Sequence, residues 1–240
     1  MAGLLFGRKE PDAETEQPVR VLVYGDSLSW GWVPQRTFIP AERFPSDRQL
    51  PRVMGESLGP AYEVVIDAMP GRTTDVADPL APQIPGVSTD GNACLPATLA
   101  AHLPLDLVVL MLGSNDCKPQ FARSAFRIAV GAGRLIDTVQ RSADFFGTLW
   151  LTNSAPRILL VCPPPFGDIV RAADDLYAGA VERHDGLAAA YAQVAAAAGV
   201  AYFDAGSVVT SDGVDGVHLS GESQRTLGIA MADQVRTVLS

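Results

Sequence analysis

Short apolar runs alternate with longer stretches of helical character along this chain. Runs that are rich in β-branched and other apolar residues, and that end at glycine, proline or aspartate, are typical of buried strands. The pattern predicts five strands, at Val19–Tyr24, Tyr62–Ile66, Leu105–Leu112, Arg157–Cys162 and Val200–Asp204.

The segments between these runs favour helices. They cover Leu50–Leu58, Phe121–Asp144, the alanine-rich stretch Asp174–Ala198, and Glu222–Leu239. Alternation of strands and helices predicts an α/β fold, in which a parallel sheet carries helices on both faces. Ligands of such sheets bind at the carboxyl ends of the strands, so residues directly after each strand are the first candidates for a site.

Two stretches interrupt the alternation. Asp75–Pro96 is rich in proline, and Phe145–Pro156 has no clear period. We expect both to be long loops, which in compact domains usually carry function or contact a partner. The stretch Arg8–Gln17 is polar and carries Pro11, and we expect residues 1–18 to form a flexible tail. Residues 19–240 have the length of one domain.

Composition excludes several classes of function. The net charge of -9 argues against nucleic-acid binding and against a polybasic membrane anchor. No apolar run is long enough for a transmembrane helix or a signal peptide, which favours a cytoplasmic protein. The three cysteines form no complete disulfide framework, and neither they nor the three histidines are spaced as metal ligands. We therefore expect no metal and no cofactor.

Ser27 follows the first predicted strand in the stretch from Tyr24 to Trp32. A serine at this position is either a nucleophile at the edge of the sheet or a helix N-cap, and taken alone the cap is the commoner role. The stretch is not a G-x-S-x-G elbow, because Ser29 stands where the second glycine would be. We expect Gly25 to let the backbone turn sharply after the strand.

Asp215 and His218 lie three residues apart in a glycine-containing turn near the end of the chain. A serine hydroxyl needs a base to take its proton, and a carboxylate can hold that base in the correct tautomer. The same two residues could equally form an Asx-turn followed by a histidine that caps a helix. The pair alone leaves both interpretations open.

Two further candidates follow predicted strands. Asn115, after the third strand, carries a side-chain amide that could point at a developing oxyanion. Gly71, after the second, could bring its backbone N–H close to a substrate without a Cβ in the way. Each of these pieces alone could be turn chemistry, but together they are harder to dismiss and favour acyl transfer through a serine nucleophile.

Other residues have weaker claims. Asp26 is better explained as a turn cap than as a second catalytic carboxylate, and Asp116 as a local hydrogen-bond partner within its own turn. Trp32 is expected to line a pocket, whereas Lys118 could equally be a surface charge or lie at the pocket mouth. The remaining candidates are interpreted structurally, with Cys117 as a neighbour of the site, His102 and His184 at surface or helix positions, and Gly131 and Gly133 inside a helix rather than in a dinucleotide loop.

The motifs around Ser27, Gly71, Asn115 and His218 occur in the order of the four consensus blocks of the SGNH (GDSL) hydrolases. The chain resembles that family over residues 19 to about 239 and, within it, the mycobacterial-type aryl esterase/acyltransferase subgroup. The resemblance implies a three-layer α/β/α sandwich with a flavodoxin-like five-stranded parallel sheet.

The resemblance also implies roles for the matched residues. Ser27 would be the nucleophile, His218 the general base and Asp215 the residue that orients it. Ser27 and Gly71 would give backbone N–H groups, and Asn115 its side chain, to the oxyanion. The acyl pocket would be lined near Leu28, Trp32, Lys118 and Val217.

The expected substrates are short-chain, acetyl-type esters, including aryl esters, with water or an alcohol as acceptor. The resemblance further implies a homo-oligomer, such as an octamer. The segments 163–178 and 145–155 depart from the subgroup. A carbohydrate acetyl esterase or a lysophospholipase-type lipase would use the same residues, and a non-catalytic binding protein on the same scaffold is the alternative from another class.

Overall fold

A computed structural model describes residues 17–37, 40–81, 85–143, 154–169 and 175–240. Its sheet has five strands, all parallel, in the order β2-β1-β3-β4-β5. The five strands are β1 (Val19–Gly25), β2 (Tyr62–Ala68), β3 (Leu107–Met111), β4 (Arg157–Cys162) and β5 (Ala201–Asp204). The predicted parallel sheet is thereby confirmed, and its strand order is that of the flavodoxin-like fold.

Helices connect the strands. In chain order they are α1 (Ser27–Trp30), α2 (Leu50–Leu58), α3 (Gly91–His102), α4 (Ala125–Gln140), α5 (Ala180–His184), α6 (Leu187–Ala198) and α7 (Gly221–Leu239). Single turns of 3₁₀ helix lie at Ser46–Arg48, Asn115–Cys117, Pro119–Phe121 and Ala205–Ser207. Among the described helices, none is long and apolar enough to span a bilayer.

Two buried clusters lie on opposite faces of the sheet. Because side chains alternate along a strand, Leu22 and Tyr24 of β1 join one cluster, and Val21 and Val23 join the other. The first cluster includes buried residues of α3, α4 and α6, and the second those of α2 and α7. The result is the expected three-layer α/β/α sandwich.

One helix was not expected. The proline-rich stretch Asp75–Pro96 was predicted to be a loop, but its last six residues belong to α3. Asp90 caps this helix by accepting a hydrogen bond from the backbone N–H of Ala93. Pro96 lies inside it, where proline normally disfavours a helix. Burial of Leu95 and Leu99 against the sheet stabilises a segment that local preference disfavours.

Two predicted helices are shorter than the pattern suggested. The stretch Phe121–Asp144 yields α4 only from Ala125, since Ala122 adopts a left-handed conformation and Ser124 is the cap. The stretch Asp174–Ala198 is divided between α5 and α6, because Gly186 has a φ of 79°. Residues 1–16 of the predicted tail 1–18, and most of the stretch Phe145–Pro156, lie outside the described residues.

Strand register brings the candidate residues to one edge. Gly25, the last residue of β1, pairs with Ala68 at the end of β2 and with Met111 at the end of β3. The segments that follow these three strand ends therefore leave the sheet at the same level. They carry Ser27, Gly71 and Asn115, the residues that the sequence nominated.

Candidate active site

Ser27 is the first residue of α1 rather than its cap. Asp26 is the N-cap, and its side chain accepts a 2.9 Å hydrogen bond from the backbone N–H of Leu28. The helix-cap interpretation of Ser27 is therefore wrong, whereas turn capping by Asp26 is confirmed. Gly25 is needed for space, since a Cβ there would collide with the side chain of Ser29. Its φ is not positive, so the sharp turn that the sequence suggested does not explain the glycine.

A continuous hydrogen-bonded chain joins three side chains. Ser27 Oγ lies 3.0 Å from His218 Nε2, and His218 Nδ1 lies 2.9 Å from Asp215 Oδ2. All three residues are buried. An imidazole in this position can take a proton from the serine hydroxyl while the carboxylate stabilises the imidazolium that forms.

The loop that carries Asp215 and His218 preorganises both residues. Asp215 Oδ1 accepts 2.9 Å hydrogen bonds from the backbone N–H groups of Val217 and His218, as an Asx-turn would. The two interpretations of this pair are thus compatible, except that Ser220, and not His218, caps the helix that follows. Trp32 stacks on the imidazole of His218, with ring centroids 5.1 Å apart and planes 13° from parallel.

The charge of Asp215 is favoured in spite of its burial. Desolvation raises the pKa of this carboxyl, but the hydrogen bond and the charge of His218, together with the two backbone donors, outweigh it. The pKa of Asp215 is held below its ordinary value as a result. The carboxylate is accordingly available as an anion throughout the neutral range.

Asn115 lines the same cavity as Ser27 and His218. Its amide nitrogen lies 3.1 Å from the carbonyl oxygen of Arg72 and 3.3 Å from Asp26 Oδ2. Its amide oxygen accepts a 3.1 Å hydrogen bond from the hydroxyl of Tyr177. These contacts turn the N–H₂ group away from Tyr177 and fix which end of the amide is the donor.

Gly71 also lines the cavity. Its φ of 84° lies in the left-handed region, which accounts for glycine there, while a Cβ would meet nothing closer than 3.9 Å. Asp116 holds the following residues in place by accepting hydrogen bonds from the backbone N–H and the hydroxyl of Thr74. Asp116 thus binds a distant segment and Arg123, and not its own turn as expected.

The cavity beside Ser27 and His218 has a volume of about 260 Å³. Trp32 and Lys118 line it as expected, whereas Leu28 and Val217 do not: both are buried in the core clusters instead. A larger groove of about 740 Å³ runs along α2 and β2, but no residue of the predicted site lines it. The cavity is lined by Ser27, Trp32, Pro70, Gly71, Asp78, Leu80, Ala81, Thr89, Asn115, Lys118, Gln120, Leu176, Tyr177 and His218.

Comparisons with known proteins identify the family of the chain. The model of the GDSL-like lipase/acylhydrolase family matches residues 23–225. The chain belongs to this family. It is a carboxylic ester hydrolase with the SGNH fold, as the sequence motifs indicated.

Solved structures of similar proteins cover nearly the whole hydrolase. The native aryl esterase of M. smegmatis is 40% identical, with a TM-score of 0.86, over 92% of this chain and 100% of that chain. A carbohydrate acetylesterase from Sinorhizobium meliloti is 36% identical, with a TM-score of 0.85, over 91% and 99%. A putative arylesterase from Agrobacterium tumefaciens is 32% identical, with a TM-score of 0.79, over 92% and 100%. No curated protein sequence matches significantly.

One wall of the hydrolase cavity is polar. Asp78 Oδ2 lies 3.1 Å from Lys118 Nζ, and Asp78 Oδ1 accepts a hydrogen bond of the same length from Gln120. Burial raises the pKa of Asp78, but the backbone N–H of Leu80, Gln120 and Lys118 together hold it below its ordinary value. Lys118 is therefore at the cavity and ion-paired, which settles the two interpretations left open for it.

Sequence reasoning missed Tyr177, Asp78 and Arg72. Tyr177 comes from a segment with no motif, and Asp78 from a stretch predicted only as a loop. Arg72 is buried, contacts the Asp67 carboxylate at 2.8 Å and covers the ring of Tyr24. The available signal was an arginine directly after Gly71, in a segment that follows a predicted buried strand. An arginine that becomes buried there is normally paired with an acidic group.

The remaining candidates do not enter the site of the hydrolase. Cys117 is buried, with its thiol 3.6 Å from the carbonyl of Gly113. His184 is buried on α5 against the carbonyl of Pro163, and His102 ends α3. Gly131 is in α4, where a Cβ would collide with Thr74. Among the described residues, no group of three or more histidine, cysteine or acidic side chains is placed to hold a metal.

Proposed function

We propose that this hydrolase cleaves short-chain carboxylic esters, including aryl esters, through an acyl-enzyme on Ser27. The observation that carries the proposal is the hydrogen-bonded chain from Ser27 through His218 to Asp215, which opens into a cavity of about 260 Å³. A serine with a base in reach, and a base with an orienting carboxylate, is the arrangement that activates a hydroxyl for acyl transfer.

The reaction has two stages. Ser27 Oγ attacks the ester carbonyl carbon while His218 Nε2 takes the hydroxyl proton, and Asp215 stabilises the imidazolium. The tetrahedral intermediate collapses, and His218 gives its proton to the departing alcohol oxygen. Water or a second alcohol then attacks the acyl group by the reverse sequence, and Ser27 recovers its proton.

Three donors are proposed for the oxyanion: the backbone N–H groups of Ser27 and Gly71 and the amide of Asn115. The segments that carry the Ser27 and Gly71 donors leave the sheet at the same level, because Gly25 of β1 pairs with Ala68 of β2. The 3.3 Å contact from Asn115 to Asp26 is longer than a good hydrogen bond to a carboxylate. It is therefore the contact of that amide most easily given up to an oxyanion.

Cavity size supports a small acyl group. Ligand sites for drug-sized molecules are roughly 300–1,000 Å³, and this cavity is smaller. The rings of Trp32 and Tyr177 and the side chains of Leu80 and Leu176 offer apolar surface to an aryl leaving group. The small volume favours a short acyl chain over a long one, such as that of a lysophospholipid.

A carbohydrate ester is the second candidate. The polar wall formed by Asp78, Lys118 and Gln120 could bind hydroxyl groups of a sugar, and a similar protein is named a carbohydrate acetylesterase. Rates with p-nitrophenyl acetate, butyrate and octanoate, measured beside release of acetate from acetylated xylose and glucose, would separate the two. We expect the acetate to be the best of the three aryl esters.

Acyl transfer to alcohols is proposed as a side reaction of the same acyl-enzyme. The apolar part of the cavity lining supports it, because an alcohol gains more than water from apolar surface. The ratio of new ester to free acid in dilute 1-butanol measures it directly. A product ratio no higher than the molar ratio of butanol to water would count against a transferase role.

The nucleophile is tested by Ser27→Ala. We expect hydrolysis of p-nitrophenyl acetate to be abolished while the thermal unfolding curve changes little, since the change removes one hydroxyl at the cavity. Ser29→Ala is a matched control, because Ser29 is two residues away, also buried and outside the hydrogen-bonded chain. Full activity in Ser27→Ala, or fluorophosphonate labelling at a residue other than Ser27, would overturn the assignment.

Residues 19–240 are proposed to act as one catalytic domain, and copies of the chain to form a homo-oligomer. Exposure of the cavity-lining side chains Leu80 and Leu176, at 71% and 40%, supports burial of this rim by another copy. Light scattering coupled to size-exclusion chromatography gives the subunit number. A monomer at catalytic concentrations would exclude this part of the proposal.

A further inference from the structure

Tyr177 reaches the site from a segment that carries no recognised motif. Its hydroxyl donates a 3.1 Å hydrogen bond to Asn115 Oδ1, across 62 positions of sequence. Both residues are buried, at 5% and 2% exposure. Within the described part of the chain, no other donor to this amide oxygen is found.

The direction of this hydrogen bond is fixed. The N–H₂ group of Asn115 faces two acceptors, the carbonyl of Arg72 and the carboxylate of Asp26. Asn115 therefore presents its oxygen to Tyr177, and the phenol must donate. Burial raises the pKa of Tyr177 far above its ordinary value, which keeps the donated proton on the phenol.

The ring of Tyr177 is itself held in place. Phe166 packs against it at a centroid distance of 5.6 Å with planes tilted by 53°. Lys118 Nζ lies 5.8 Å from the centre of the same ring. These contacts hold the hydroxyl of Tyr177 in one position, where the amide oxygen of Asn115 accepts its hydrogen bond.

We propose that Tyr177 is a positioning residue that fixes the amide plane of Asn115 so that its N–H₂ group faces the oxyanion. The inference rests on the proposed role of Asn115 as an oxyanion donor. Preorganised donors stabilise developing charge because they need no reorientation during the reaction. Without the hydroxyl, the buried amide oxygen loses its partner, and the side chain can rotate away from the geometry that the transition state needs.

The first test is Tyr177→Phe, which keeps the ring and removes only the hydroxyl. We expect kcat for p-nitrophenyl acetate to fall by about tenfold or more, with KM changed less than threefold, since the hydrogen bond acts on charge that develops only in the transition state. Tyr202→Phe is the matched control. It removes a hydroxyl that donates at 2.8 Å to the carbonyl of Ala188, remote from the cavity, and it should retain the parental kcat.

A double-mutant cycle distinguishes positioning from direct contact. If Tyr177 acts through Asn115, Tyr177→Phe should change kcat less than twofold in an Asn115→Ala background. A tenfold loss that persists in that background would mean that the hydroxyl touches the substrate itself, and it would overturn the inference. An effect confined to KM would overturn it as well, because a pocket wall alone would act in that way.

A spectroscopic measurement tests the contact without turnover. In Ser27→Ala protein labelled with ¹⁵N, Tyr177→Phe should shift the side-chain amide resonances of Asn115, and Tyr202→Phe should not. Unchanged resonances, or full activity of Tyr177→Phe in the otherwise native enzyme, would overturn this inference alone. Full activity of Ser27→Ala would instead overturn the proposed function, so the two failures are distinguishable.

Discussion

Two aspartates lie near Ser27 and differ in their hydrogen-bond partners and pKa. Asp26 precedes Ser27 in the chain, and Asp215 is joined to it through His218. Asp215 and Asp26 are both buried, at 0% and 1% exposure. Asp215 accepts hydrogen bonds from two backbone N–H groups and the imidazole of His218, and its pKa lies below the ordinary value. For Asp26 burial dominates, and it raises the pKa to about 7 although the backbone N–H of Leu28 opposes it.

The difference shows that the number and quality of donors, more than depth of burial, decide the charge of a carboxyl group in this site. Asp26 has one good donor and the 3.3 Å contact to Asn115, and the nearby charge of Asp116 raises its pKa further. The carboxylate form is therefore favoured at Asp215, whereas Asp26 favours its protonated form up to about pH 7. A neutral Asp26 places no negative charge beside Asn115, the proposed donor to the oxyanion.

Replacing Asp215 by asparagine should have the largest effect. The carboxylate accepts at both oxygens, whereas an amide accepts at one end and donates at the other. The variant should therefore select the wrong tautomer of His218, and kcat/KM for p-nitrophenyl acetate should fall by about 10³–10⁴-fold. Steady-state rates measure this, with near-native circular dichroism as the check on folding. A loss under tenfold would mean that Asp215 acts only as an Asx-turn.

Asn115→Ala should come next in size. Removal of one oxyanion donor costs about 10²–10³-fold in kcat, and we expect the rate of fluorophosphonate labelling at Ser27 to fall in parallel. Asn92→Ala offers a control, because Asn92 is on α3 and its side chain accepts from Thr138 outside the cavity. Native kcat in Asn115→Ala would remove this residue from the oxyanion hole.

The smallest expected effect is on stability, and the direction in which it changes with pH differs between Asp26 and Asp215. Because the pKa of folded Asp26 is about 7, against an ordinary 3.8 in the unfolded chain, the folded state binds the extra proton between these values. The measured quantity is the difference in free energy of unfolding between the native chain and Asp26→Asn. This difference should decrease as pH rises from about 4 to about 7, by at most about 1.4 kcal/mol per pH unit. Urea unfolding at several pH values measures it.

The corresponding difference for Asp215→Asn should have the opposite slope. A lowered pKa in the folded state gives stability that is present above the ordinary value of 3.8 and is lost as pH falls through the folded value. Parallel slopes for the two variants would show that burial, and not the donor set, governs both carboxyl groups.

Sequence reasoning found the parts of the site that follow strands. Ser27, Gly71 and Asn115 come directly after β1, β2 and β3, and parallel strands end at one edge of a sheet. Asp215 and His218 were found through their spacing. The predicted strands and α2 agree closely with the structure, because apolar runs of this kind are best buried in a sheet or against its face.

Residues whose positions depend on tertiary contacts were not found. Tyr177 contacts Asn115 only because α5 and the turn before it pack over the 3₁₀ turn at Asn115–Cys117. Helix α3 forms in spite of Pro96, since burial of Leu95 and Leu99 overrides local preference. Leu28 was expected in the pocket and lies in the core, because successive side chains on a helix point about 100° apart. Ser27 lines the cavity, whereas Leu28 packs in the second buried cluster.

Gln224 has a consequence for how the enzyme is made. This buried side chain accepts a 2.8 Å hydrogen bond from the backbone N–H of Leu50 and donates at 3.1 Å to the carbonyl of Leu28, so α7 holds both α1 and α2. Ser27 and His218 are 191 positions apart, and α7 begins three residues after His218. All residues up to and including His218 must therefore have left the ribosome before the chain can cleave any ester.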